Sequence, residues 1–283
     1  MSKRLWTLPI MAAVLLALGS TGAFAIGSLG GGTGIVSVPN ANIAPQHELD
    51  LSLTYQSLEA ADASQGEDFT VWSLQALTGI TKEAELWAAY SSVRDGESTH
   101  IWGLGGKLQL AKEPEEAAAL AVGGSYQKWA DAVAVESGGM YDEVVVSNTD
   151  ATITKLYIVA TKDFTPLKAE SWEWGAAGGT RMYGSLGLIY VNVDSDLGDE
   201  SLTRPFVAFE FVGADDTALG LEYRWKDDDV DAKAVFSAVL RHRFSPEFTA
   251  EVGTTNASPV EAGLDDQDFF VRLGYTIPMG AIY

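Results

Sequence analysis

Cysteine is absent from this 283-residue sequence, and basic residues are few. Without cysteine, the chain can form neither a disulfide bond nor a thiolate metal site. Asp and Glu number 39 against 18 Lys and Arg, which gives a formal net charge of −21. Because such a surface repels nucleic acid and other polyanions, the composition excludes nucleic acid as a partner.

Long apolar runs are also missing after the first residues of the chain. The run over residues 5–18 is shorter than the roughly 20 residues that a membrane-spanning helix needs, and no comparable run follows it. The basic pair Lys3 and Arg4 precedes this run, and a small-x-small pattern that suits signal peptidase ends at Ala25. Residues 1–25 are therefore predicted to be a cleaved signal peptide, so the protein is exported and is not a helical membrane protein.

The apolar residues that are present follow a strand pattern. They make up 47% of the chain, which is too many for a disordered acidic protein. From Leu49 to Gln56, apolar and polar residues alternate with a period of two, as in a β-strand with one apolar face. The alternation recurs along the chain and predicts an all-β protein with strands near residues 48–57, 67–78, 83–93, 99–110, 117–130, 151–162, 182–194, 204–213, 217–226, 232–244, 247–255 and 268–278.

The connections between these strands alternate in length. Outer-membrane barrels have short turns on the periplasmic side and long loops outside. Four of the five connections that should be short are short, and the fifth, 163–181, is either a periplasmic insert or a missed hairpin that would make fourteen strands. Acidic residues concentrate in the connections that should face outward. We therefore predict a transmembrane up-and-down antiparallel β-barrel of about twelve strands, within a range of ten to fourteen. The outward connections are 58–66, 94–98, 131–150, 195–203, 227–231 and 256–267.

The C-terminus carries the most specific signal in the sequence. Odd positions from Phe269 to Tyr283 are all apolar or aromatic, and the last residue is aromatic. This resembles the terminal strand that the outer-membrane assembly machinery recognises in bacterial barrels. The resemblance implies an assembly signal that includes Tyr275, Ile277 and Tyr283, with the barrel-assembly machinery and outer-membrane lipid as partners and the bacterial outer membrane as the location. An ordinary edge strand of a soluble β-domain is the alternative.

The start of the mature chain carries a second resemblance. A Gly-Gly-Thr-Gly stretch from Gly31 is followed by apolar residues, by Pro39-Asn40-Ala41 and by the first strand. The segment 31–56 resembles the opening of the YjbH family of exopolysaccharide-associated outer-membrane proteins, although Asn40 stands where that family usually has Thr. The resemblance implies a role in polysaccharide export or secretion. Alternatively, the glycines form a flexible segment that plugs or lines the periplasmic mouth. On either interpretation, residues 26–46 are a Gly-rich periplasmic segment and residues 47–283 form the barrel.

Signals for catalysis and for metal binding are weak. The chain has three histidines, His47, His100 and His242, and none is followed by the Ser and Asn that outer-membrane phospholipase A places after its catalytic histidine. No Gly-x-Ser-x-Gly elbow is present. The acidic cluster at 227–229 lacks the spaced ligands of a calcium loop. We therefore expect no enzymatic activity, no catalytic residue, no metal and no cofactor.

Strand parity also predicts which charged residues face the lumen. Both signs are present, so these residues form either a structural ion-pair network or a selectivity filter. Two functions stay open: a porin-like channel for small solutes that favours cations if it is open, and a non-conducting structural or assembly barrel linked to envelope polysaccharide secretion. A soluble binding β-domain is a third and weaker alternative. The predicted lumen residues are Asp50, Glu85, Lys107, Glu210, Glu222, Arg224, Arg241, Glu251 and Arg272.

Overall fold

The structure, a computed structural model, contains twelve antiparallel strands in the residues that it describes. The structure describes Leu29 and residues 31–58, 69–95, 97–113, 117–135, 145–165, 181–195, 198–213, 215–227, 233–257 and 263–280. Within these ranges, no helix is long and apolar enough to cross a membrane. The strands are β1 Glu48–Leu58, β2 Phe69–Gly79, β3 Ala84–Asp95, β4 Glu97–Ala111, β5 Ala119–Val135, β6 Val145–Asp163, β7 Arg181–Ser195, β8 Gly198–Val212, β9 Thr217–Arg224, β10 Val235–Arg243, β11 Phe248–Ala257 and β12 Gly263–Pro278.

The sheet is closed. Each strand pairs with its neighbours in the sequence, and β1 also pairs with β12, where Leu51 lies opposite Tyr275. The closed ladder leaves no sheet edge unpaired, which is the arrangement that a bilayer requires of a β-structure. The predicted twelve-stranded, up-and-down antiparallel barrel is confirmed.

The outer surface of the barrel is apolar and much of the inner surface is polar. In β1, Ser52, Thr54 and Gln56 are buried inside, whereas Leu53 points outward and is exposed. A soluble β-domain would bury the apolar face, so this reversal is typical of a transmembrane barrel. Outward-facing apolar side chains on the other strands are exposed in the same way and form a belt around the barrel. The belt includes Trp72, Leu74, Leu86, Trp102, Leu104, Leu156, Leu186, Leu188, Phe209, Leu219, Phe236, Leu273 and Tyr275.

Several strands are longer than the sequence predicted at the end of the barrel that carries the outward connections. Strand β5 continues to Val135, β6 begins at Val145, β8 at Gly198 and β12 at Gly263. Parts of the predicted loops 131–150, 195–203 and 256–267 are therefore strand. Hydrophobic alternation marks only the stretch that faces lipid, whereas backbone pairing can continue beyond it. The other end carries the short turns between β2 and β3, β8 and β9, and β10 and β11.

Some parts of the sequence prediction fall outside the described residues. They include the signal peptide at 1–25 and most of the connection 163–181, of which residues 166–180 are not described. The choice between an insert and a missed hairpin therefore stays open. Within the described ranges the barrel has twelve strands.

Candidate functional site

The N-terminal segment before β1 lies inside the barrel. Residues 31–41 are all buried, and they form a hairpin in which Asn40 N donates to Thr33 O at 3.2 Å and Ile35 N donates to Val38 O at 3.2 Å. We call residues 31–44 the plug. One of the two interpretations of the glycine-rich segment was a flexible plug or lining of the periplasmic mouth; in the structure the segment is a hydrogen-bonded element inside the barrel.

Two glycines at the start of the plug are required by its shape. Gly31 has φ of 88° and Gly32 has φ of 72°, a left-handed conformation that residues with a side chain rarely adopt. A Cβ atom on Gly31 would lie 1.8 Å from Nε1 of Trp87, a buried side chain of β3. Any larger residue at Gly31 would therefore displace either the plug or the indole.

One anchor of the plug is a buried ion pair on β3 and β4. The Glu85 carboxylate accepts hydrogen bonds from Thr33 N at 2.7 Å and Ala44 N at 2.8 Å. Lys107 Nζ lies 3.1 Å from Glu85 Oε1 and donates to the backbone oxygens of Thr33 at 3.1 Å and Asn40 at 3.0 Å. Glu85 and Lys107 thus hold both legs of the hairpin where they enter the barrel.

A second anchor on β9 holds the tip of the plug. Glu222 accepts the consecutive backbone N–H groups of Val36 at 3.1 Å, Ser37 at 2.9 Å and Val38 at 3.2 Å. The Ser37 hydroxyl also donates to Glu222 and accepts a hydrogen bond from Arg224 Nη2 at 2.8 Å. Consecutive amides that point to one spot form an anion-binding concavity, and the Glu222 carboxylate occupies it.

An ion-pair network connects this anchor to β8, β11 and β12. Arg241 Nη2 donates to Ile35 O at 3.1 Å, while its Nη1 and Nε lie 2.7 Å from Glu210 and 2.6 Å from Glu251. Arg272 Nη1 lies 3.2 Å from the other oxygen of Glu251. The network presents cations to the plug's carbonyl groups, just as Glu85 and Glu222 present carboxylates to its N–H groups.

All nine charged residues that parity assigned to the lumen are buried inside the barrel. Glu85, Lys107, Glu222, Arg224 and Arg241 contact the plug, and Glu210, Glu251 and Arg272 belong to the network beside it. Asp50 lies apart from the plug and accepts a hydrogen bond from Thr276 Oγ1 at 3.2 Å.

Sequence reasoning missed several features of the interior, including a buried arginine and two hydroxyl groups of the plug. Arg204 is fully buried on β8 and its Nε donates to Trp225 O at 2.7 Å. Residues an even number of positions apart in a strand lie on the same face, so Arg204 shares the inner face with Glu210. Strand parity could therefore have identified it. The hydroxyl groups of Thr33 and Ser37, which lie against the two anchors, carried no such signal because they belong to no strand.

The side chains of the plug also pack against the barrel wall. Ile35 lies against β9, where a Cβ atom on Gly220 would be 2.5 Å from Ile35 Cγ2. Val36 and Val38 are also fully buried, in a core that extends to Ile189 on β7. The plug therefore occludes this part of the lumen.

A cavity of about 70 Å³ remains between the plug and the strands on one side of the barrel. Ser37 of the plug and Leu29, which precedes the plug, bound it on one side. The remaining wall comes chiefly from β1 to β5: Gln56, Val71, Ser73, Trp87, Ala89, Ser91, Ile101, Gly103, Leu104, Ser125, Gln127 and Ala257.

The histidines do not form a site in the described part of the chain. His100 Nδ1 is 2.8 Å from the Tyr90 hydroxyl on β3, and His242 Nδ1 is 2.9 Å from the Thr217 hydroxyl on β9. His47 precedes β1. Among the described residues, no group of three or more potential metal ligands comes together.

The predicted assembly signal is partly described. Tyr275 and Ile277 lie on the outward face of β12 and are exposed, whereas Tyr283 is outside the described residues. Their position on a strand that closes the barrel agrees with such a signal, and the role in assembly stays a prediction.

A closed barrel with an apolar belt, a polar interior and an internal plug has the fold of the bacterial outer-membrane β-barrels. An outer membrane channel from Pseudomonas putida F1 is similar, with a TM-score of 0.52 and 13% identity over 86% of this chain and 100% of that chain. The translocator domain of the autotransporter NalP from Neisseria meningitidis has a TM-score of 0.50 and 12% identity over 82% of this chain and 88% of that chain. The KdgM porin in complex with disordered oligogalacturonate has a TM-score of 0.49 and 9% identity, covering 81% and 98% of the two chains.

The sequence adds no closer relationship. No protein family matches the chain, and no curated protein matches it. The likeness to solved structures confirms the barrel fold, and the apolar belt provides the surface that the predicted outer-membrane location requires. The resemblance of residues 31–56 to the YjbH family stays a prediction.

Proposed function

We propose that this protein is an outer-membrane channel for small solutes that its own plug closes. The observation that carries the proposal is the independence of barrel and plug. In the described part of the chain, each of the twelve strands pairs with its neighbours without using the plug, and the bridge between Gln46 and Gly79 joins the linker after the plug to the end of β2. The plug can therefore leave the lumen without breaking the barrel ladder.

The contacts that hold the plug suit a reversible interaction. The polar anchors reach its backbone and its hydroxyl groups, and in the described part of the chain its only covalent link to the wall is the main chain that leads through residues 45–47 into β1. Water can replace each of these hydrogen bonds once the plug has left. The loss of apolar packing at Ile35, Val36 and Val38 opposes release, so the closed state predominates.

The preference of the open channel for cations remains part of this proposal. It rests on the acidic residues of the outward connections, which would raise the local concentration of cations at that mouth. We propose no catalytic role, because the histidines lie in separate places and no nucleophile elbow is present.

A second candidate is a non-conducting structural or assembly barrel linked to envelope polysaccharide secretion. The filled lumen favours it, because the plug and the paired charges of Arg241, Glu210 and Glu251 leave little open space there. On that view the plug is a permanent part of the core.

Planar-bilayer recordings of a variant that lacks residues 31–44 separate the two candidates. The channel proposal predicts that this variant conducts ions steadily while the full chain is mostly closed. A deletion variant that inserts, resists SDS at room temperature and still does not conduct would favour the structural barrel.

A further inference from the structure

The cavity between the plug and β1 to β5 has no ionisable side chain among the described residues of its wall, unlike the charged part of the lumen around the plug anchors. The polar members of the wall are neutral: Ser37, Gln56, Ser73, Ser91, Ser125 and Gln127. We propose that this cavity is a binding site for a small uncharged solute that carries oxygen acceptors on a short carbon skeleton. Its use during transport rests on the proposed channel function, whereas binding itself does not.

The described wall residues carry no charge, and an uncharged wall selects against ions. An ion that leaves water needs a counter-charge or several strong hydrogen bonds, because its desolvation is otherwise very unfavourable. The charged groups of the plug anchors already have partners, since Glu85 pairs with Lys107 and Glu222 binds the plug. A neutral solute does not meet this obstacle.

The wall also offers a hydrogen-bond donor that lacks an acceptor. Ser125 on β5 is more than nine-tenths buried, and its Oγ has no hydrogen-bond partner in the structure. A buried hydroxyl group without a partner is unfavourable, and a serine side chain can rotate about χ1 toward an acceptor. By contrast, Ser73 and Ser91 already bond to each other at 2.7 Å. Ser125 is therefore the side chain expected to recognise the solute's oxygen.

The rest of the wall sets the size and shape of the solute. Val71, Trp87 and Ile101 give it an apolar side that suits carbon. A cavity needs roughly 10–15 Å³ to hold one water molecule, so a cavity of about 70 Å³ holds about five or six non-hydrogen atoms. A three-carbon polyol such as glycerol fits these limits.

Saturation-transfer NMR on the full chain in detergent tests the site, with glycerol as the probe and glycerate as its charged counterpart. We expect glycerol to bind and glycerate to bind at least tenfold more weakly. Ser125→Val, which removes the hydroxyl and fills space, should weaken glycerol binding at least tenfold, and Ser125→Ala should weaken it less. Ser237→Ala is the matched control, because Ser237 is a buried inward serine of β10 that bonds to Thr255 at 2.7 Å and lies outside the cavity wall.

Three outcomes would overturn the proposal. They are no glycerol binding to the natural chain, equal binding of glycerol and glycerate, and unchanged binding in both Ser125 variants when these retain the SDS-resistant barrel. The channel proposal is separable from this one. Glycerol binding together with a non-conducting plug-deleted barrel would contradict the channel alone, and conduction without binding would contradict the site alone.

Discussion

Replacing Glu222 by glutamine is expected to loosen the plug and leave the barrel intact. The Glu222 carboxylate accepts three consecutive backbone N–H groups at 2.9 to 3.2 Å. Glutamine offers one neutral oxygen in the same place and turns an NH₂ group toward the remaining donors. Hydrogen bonds to a charged group contribute about 1.5–3 kcal/mol each, against about 0.5–1.5 kcal/mol for neutral ones. Over three bonds the docked plug loses about 3 kcal/mol, which raises the ratio of released to docked plug roughly a hundredfold.

Single-channel recordings in planar bilayers measure this ratio as the time spent open divided by the time spent closed. For Glu222→Gln, this quotient should be about a hundred times that of the natural chain. Glu83→Gln is the matched control, because Glu83 lies in the turn between β2 and β3 and pairs with Lys112 on the surface at 2.9 Å. The reasoning is refuted if Glu222→Gln behaves like the natural chain while the variant without residues 31–44 conducts.

Three further predictions concern the plug, the lipid face and the orientation. Gly31→Val should also increase the open fraction, because its side chain would overlap Trp87, and unchanged gating would show that the plug is not held there as described. Leu221→Arg places a cation on the outward face and should lower the stability of the inserted barrel by about 2–4 kcal/mol, measured by urea unfolding in lipid; a loss as small as that of Leu221→Ala would argue against lipid contact. Cysteines introduced at 136–144 should react with a membrane-impermeant thiol reagent on intact cells and those at 245–246 should not, and the reverse pattern would invert the barrel.

The strand number and the inward face were predictable because alternation and parity are local properties of the sequence. Leu49 to Gln56 shows the pattern without any knowledge of its partners, and a closed ladder requires only that each strand meet the next. Parity assigned Glu85 and Glu222 to the inner face, and both side chains are buried in the structure. Strand ends beyond the lipid were less predictable, since Val135 and Gly198 continue the pairing without an apolar pattern.

The site itself could not be predicted from the sequence. What Glu85 and Glu222 bind depends on where residues 31–44 fold, and no periodic pattern in that segment indicates a hairpin inside the barrel. The sequence offered an ion-pair network among the charged lumen residues, and the structure shows that the plug backbone is part of it. The cavity was equally hidden, because it exists only between the docked plug and residues such as Ser125.

Locking the plug with a disulfide bond tests most directly whether its release opens the barrel. A Cβ atom on Gly220 lies 3.9 Å from Cβ of Ile35, within the range of about 3.5–4.5 Å that a disulfide bond needs. Since the natural sequence has no cysteine, Ile35→Cys with Gly220→Cys creates the only pair of thiols in the chain. In the Glu222→Gln background, the oxidised double-cysteine protein should not conduct in planar bilayers and should conduct after dithiothreitol is added. The control with Ile35→Cys alone should conduct both before and after dithiothreitol. Equal conductance before and after reduction of a fully formed disulfide would contradict the plugged-channel mechanism.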